Sequence, residues 1–99
     1  MNEVLNYTQG LQDPWLMEEE DIMAVPLVDA VATGENIKRI REEKGLAVKD
    51  LQKVFGFDTP QAIYRWQRGE TMPCVDNLIV LAKILGVSVE DIVILNDTK

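Results

Sequence analysis

Histidine is absent from the chain, and cysteine occurs once, as Cys74. Without imidazole there is no Ser–His or Cys–His nucleophile pair and no zinc site of the usual kind. A lone cysteine forms no intrachain disulfide and gives no sign of an oxidising compartment. Long apolar runs are missing too. Stretches such as Leu78 to Ala82 fall far short of the roughly 20 residues that a bilayer span needs, so no membrane partner is expected. Met1 to Gly10 lacks a basic start followed by an apolar stretch, so no secretory signal is expected and the location reads as cytoplasmic. Neither a Gly-rich phosphate loop nor a nucleophile elbow is present. Glu18, Glu19, Glu20 and Asp21 are adjacent on one stretch and do not preorganise a Mg²⁺ cage. The expectation is no enzyme, no cofactor and no metal.

What is present is ordinary globular composition in 99 residues, 46% hydrophobic and 27% charged, enough for one hydrophobic core. Charge is unevenly placed. Residues 1–35 carry eight acids and no Lys or Arg, a local charge of −8. Residues 36–68 carry eight bases against four acids, and residues 69–99 return to −3. The net charge of −7 therefore conceals a basic middle between acidic ends.

Residues 1–33 read as an acidic, mostly irregular N-terminal extension interrupted by Gly10, Pro14 and Pro26. One short helix is expected there, capped by Asp13 with Pro14 in its first position. Val25 to Val31 suits an extended arm. Trp15, Leu16 and Met17 ahead of the acidic run read more readily as a docked or loose tail than as a partner-binding motif.

Residues 34–99 read as an all-α domain of five short helices. Thr33 can cap the first, which carries Ile37 and Ile40 and ends at Lys44–Gly45. Val48, Leu51 and Phe55 mark a second, stopped by Gly56. Thr59 and Pro60 start a third, ended by Gly69. Val75, Leu78, Ile79, Ala82 and Leu85 form the apolar stripe of a fourth, closed by Gly86. Ser88 and Asp91 form a capping box for a last helix carrying Ile92 and Leu95. No period-two alternation persists long enough to demand a sheet.

Two short helices across a tight Gly-containing turn, Val48–Phe55 and Pro60–Gln67, have the layout of a helix-turn-helix. In the second helix, Ala62, Ile63 and Trp66 fall on one side, suited to packing. Gln61, Tyr64, Arg65 and Arg68 stand at i, i+3, i+4 and i+7 and share the other. An amide there can grip adenine, and guanidinium groups can grip guanine or phosphate.

The stretch from Glu35 to Lys99 resembles the Cro/repressor-type helix-turn-helix regulators, also called the xenobiotic-response-element family. The segments that carry the likeness are Asn36 to Leu46, Leu51, Ile63 to Glu70, Pro73, and Leu81 to Val87. The resemblance implies a five-helix lambda-repressor-like domain that binds specific double-stranded DNA, commonly as a homodimer on paired half-sites, to repress or activate transcription. By position it implies base reading by Gln61, Ala62 and Arg65, with Tyr64 nearby, and a phosphate contact by Arg68. Lys49 and Arg41 are further backbone candidates. The chain also departs from the pattern. Val48 stands where Gln is common, and Ala47 and Cys74 stand where a capping Ser is common. Gln67 replaces a Glu that often pairs with an arginine of the first helix, leaving Arg41 to hydrogen-bond Gln67 instead. Gly56 to Pro60 is one residue longer than the common turn. Cys74 reads as a small-residue substitution rather than a redox sensor, since Asp76 opposes thiolate formation.

The expected function is a small transcriptional regulator, a repressor, with the helix at 60–67 in the major groove. The alternative is an antitoxin-like or adaptor module whose acidic leader binds a basic protein partner.

Overall fold

The computed structural model describes residues 27–96, and one compact unit runs from Val28 to Asn96. The helix expected after Pro14 and the acidic run at Glu18–Asp21 lie outside the described residues. In chain order the elements are β1 (Leu27–Val28), α1 (Ala30–Glu43), α2 (Val48–Phe55), α3 (Gln61–Arg68), α4 (Val75–Leu85), α5 (Val89–Ile92) and β2 (Leu95–Asn96). Among the described residues, five helices enclose the core, with Ile37 and Ile40 from α1, Leu51 from α2, Ile63 and Trp66 from α3, Leu81, Ala82 and Leu85 from α4, and Ile92 from α5. Every described helix contributes at least one buried side chain, so packing of these short segments against one another supplies most of their stability.

Four local details differ from the sequence-based expectations. First, α1 opens at Ala30, capped by Asp29, whose Oδ1 accepts the Ala32 N–H at 2.9 Å. Thr33 lies inside the helix, fully buried. Its hydroxyl accepts the Ile94 N–H at 2.9 Å, a partner 61 positions away. Second, the extended arm is confined among the described residues to Leu27–Val28, because Ala30 and Val31 already belong to α1. Third, the last helix stops at Ile92, and Leu95 lies instead in β2, which pairs with β1. The β-branched Val93 and Ile94 favour extended backbone at this exit. Fourth, α4 turns inward only Leu78, Ala82 and Leu85 of the expected stripe and adds Leu81 to them. Leu81, Ala82 and Leu85 are buried and Leu78 packs against them, while Val75 and Ile79 are exposed. Because α4 is apolar nearly all round, its spacing alone does not single out one face.

Four termini follow the local rules. α2 spans Val48–Phe55 and stops at Gly56, and α4 stops at Gly86. Ala47 has no oxygen with which to cap α2, but the Asp50 carboxylate accepts the Ala47 N–H at 2.7 Å, the returning half of a capping box. At α5 the box is reciprocal. Ser88 Oγ accepts the Asp91 N–H at 3.1 Å, and Asp91 Oδ2 accepts the Ser88 N–H at 3.0 Å.

That backbone hydrogen bond from Ser88 holds the Asp91 carboxyl below the ordinary aspartate range. A depressed folded-state pKa stabilises the fold above the unfolded value and loses that contribution as pH falls through the folded value. As pH falls below the ordinary aspartate range of about 4, Asp91→Asn is expected to lose stability less steeply than the parent chain. Circular-dichroism melts over this fall in pH check this, and parallel slopes would remove the role from Asp91.

Candidate nucleic-acid interface

α3 owes its orientation to both of its neighbours. On its inner side Ile63 is fully buried and Trp66 is 4% exposed. Phe55, from the end of α2, meets the Trp66 ring edge-on at 5.5 Å between centroids. Phe57, from the turn, does the same at 6.0 Å and stacks on Phe55 at 5.0 Å. The longer turn from Gly56 to Pro60 is thus occupied by an aromatic wedge. The Gln52 amide donates to the Phe57 and Asp58 carbonyls, both at 3.2 Å, and pins the turn's path. At the start of α3 the Thr59 hydroxyl lies 3.4 Å from the Gln61 N–H it accepts.

α1 braces the other end of α3. Gly34 is buried where the two helices cross, and a Cβ there would meet the Trp66 carbonyl oxygen and lie 2.7 Å from that of Gln67. No side chain fits that space. Close by, Arg41 Nε donates to Gln67 Oε1 at 2.9 Å, and Arg41 Nη1 donates to the Leu46 carbonyl at 2.7 Å. The Gln67 substitution therefore keeps the link between α1 and α3 as a neutral-acceptor bond. It also corrects the reading of Arg41 as a phosphate contact. Its residue is only 8% exposed, and its guanidinium is committed inside the protein.

On the outer side of α3, Gln61, Tyr64, Arg65 and Arg68 are all exposed. They line one shallow concavity together with Glu70. Ala62 is half-buried and packs against the core, so it lies at the border of this face rather than within it. Lys49, near the start of α2, is exposed and lines a separate hollow with Gln52, Lys53 and Phe57. Lys53 was not singled out in the sequence, although its i+4 spacing from Lys49 was a readable signal. Cys74 is exposed at the N-cap of α4 and makes no side-chain capping bond.

Glu70 is the second residue that motif reasoning passed over. Gly69 ends α3 in the left-handed region, with φ of 76°. Its missing Cβ would lie 2.6 Å from the Val31 Cα. This reversal brings the Glu70 N–H to the Arg65 carbonyl at 3.0 Å and its carboxylate to Arg68. Arg68 Nε donates to Glu70 Oε2 at 2.6 Å, and Nη2 donates to Oε1 at 3.3 Å. The hydrogen bond raises the Arg68 pKa and depresses that of Glu70, with the Arg65 charge adding to the latter.

A helix-turn-helix family model matches residues 37–92, from the buried face of α1 through α5. The chain is similar to the crystal structure of the DNA-binding domain of BldD, with a TM-score of 0.57 and 26% identity over 66% of this chain and 93% of that one. It is similar to the S. venezulae BldD DNA-binding domain at the same score and identity, over 66% of this chain and 96% of that one. No curated protein matches the sequence. Among the described residues, no helix is long and apolar enough to cross a membrane.

Proposed function

Because the chain belongs to the helix-turn-helix family, of the Cro/repressor (xenobiotic-response-element) type, we propose that it is a cytoplasmic transcriptional repressor that reads duplex DNA through the major groove. One observation carries this reading. α3 turns Gln61, Tyr64, Arg65 and Arg68 outward while Ile63 and Trp66 hold its opposite side in the core. A rigid helix with a continuous row of donors is the geometry that major-groove reading requires. Gln61 suits adenine and Arg65 suits guanine, each through a paired hydrogen bond. Arg68 suits a phosphate at the helix end, and Lys49 with Lys53 extends the phosphate track along α2. Ala62, at the border, offers a methyl to a thymine methyl. Two copies on paired half-sites would read a palindromic operator.

Fluorescence anisotropy against selected and randomised duplexes, at several salt concentrations, tests the reading. Arg65→Ala is expected to erase about 1–3 kcal/mol of discrimination at one base position. Arg68→Ala should weaken all duplexes alike and flatten the salt dependence by up to about one unit of slope. A wild-type chain that binds no duplex at low salt would refute the assignment.

A further inference from the structure

The outer face of α3 is lined by four polar or basic side chains and one acid. An acid just beyond the last turn of a helix is unfavourably placed against the helix dipole, where a base would be favoured. Glu70 thus does nothing for the stability of α3 by that route. It is also exposed, as is Arg68, with side chains 51% and 56% accessible, so the pair adds little to folding. What Glu70 does have is geometry. Its two oxygens meet Nε and Nη2 of Arg68 side-on, the edge-to-edge contact by which a guanidinium also receives a phosphate. Its backbone is fixed in this position by the bond to Arg65 and by the glycine reversal before it.

We propose that Glu70 is an intramolecular phosphate mimic, which occupies Arg68 in the unbound domain so that a duplex must displace a carboxylate to make that contact. The inference rests on the DNA-binding reading and adds a control to the same face. Glu70 touches no base in this scheme. It sets a threshold on affinity for every duplex and leaves the order of preferred sequences alone. Because the pair is exposed, its hold on Arg68 weakens with added salt, in parallel with the attraction of the phosphates it resists.

Glu70→Gln removes the charge and keeps the shape. It is expected to tighten binding about threefold to tenfold on specific and random duplexes alike, with the gain shrinking as salt rises. Breaking an exposed ion pair accounts for up to about fivefold of this, and lost repulsion between carboxylate and phosphate for the rest. The decisive arm is the same substitution in an Arg68→Ala background, where the gain should fall to about twofold or less. Thermal melts of all four chains, matched within a few degrees, show that folding is not what changes. An equal gain with and without Arg68 would overturn the proposal, because Glu70 would then act only as bulk charge. Unchanged or weaker binding by Glu70→Gln overturns it as well, and would make the carboxylate a support for Arg68. In either case wild-type binding survives and only the mimic is lost. Absence of binding by all four chains would remove the DNA-binding reading itself, and the mimic with it.

Discussion

Gly34→Ala is expected to destabilise the domain by about 3 kcal/mol, the upper end for adding one carbon to a filled interior. The size of the effect follows from what the methyl would strike. It would meet the Trp66 carbonyl oxygen and approach the Gln67 carbonyl within 2.7 Å. Both are backbone atoms of α3, so no rotamer change relieves the clash and the two helices must separate. Intrinsic helix propensity acts in the opposite sense, since alanine is favoured over glycine by roughly 1 kcal/mol in a helix interior. A net loss of stability would therefore show that the crossing of α1 and α3 outweighs local preference. Urea denaturation checks the magnitude. DNA binding should fall more than the folded fraction accounts for, because any surviving native chain holds α3 at an altered distance from α1. Unchanged or increased stability would mean that the two helices are not held this close.

Trp66→Ala is expected to cost about 3–5 kcal/mol, a large share of the roughly 5–15 kcal/mol by which a domain is stable. Trp66 is 4% exposed and carries the edge-on contacts of both Phe55 and Phe57. Removing the indole leaves a cavity beneath the turn as well as beneath α3, so the turn loses its internal support with the helix. Tyr64→Ala is the comparison on the opposite side of the same helix. Tyr64 is 42% exposed, and its removal should change stability by about 0.5 kcal/mol or less while weakening duplex binding. Equal destabilisation by the two substitutions would contradict the division of α3 into an anchored side and an exposed side.

Much of this arrangement was legible from residue spacing because the signals act locally. Thr59–Pro60 before α3, Gly69 after it and the Ser88–Asp91 box each involve residues a few positions apart. The alternation of Ile63 and Trp66 with Tyr64, Arg65 and Arg68 is equally local, and it separates the two sides of α3. The bond from Arg41 to Gln67 was also foreseeable, since an amide oxygen can replace a carboxylate as acceptor. What spacing alone did not reveal depends on distant partners. Thr33 and Asp29 are both competent caps, and only the approach of Ile94 decides that the threonine hydroxyl is used elsewhere. Arg41 lies in a basic stretch that invites a phosphate contact, yet its register on α1 turns it under Leu46. Along α4, apolar residues occupy nearly every side, and the neighbours choose which is buried. Phe57 gave no periodic signal because it lies in a turn. Glu70 looked like one more acid until the glycine reversal placed it beside Arg68.

The union of Asp29 with Ile94, a 2.8 Å backbone hydrogen bond reinforced by Thr33, brings the two ends of the helical unit side by side. A helical unit whose first and last residues are neighbours has a nearly circular connectivity within the described residues. In the described unit taken by itself, Val28–Asn96, the two ends could be joined and a new opening cut at an exposed bend such as Gly45, with the contacts between helices preserved. α3 would then sit at a different place in the gene and in the same place in the unit.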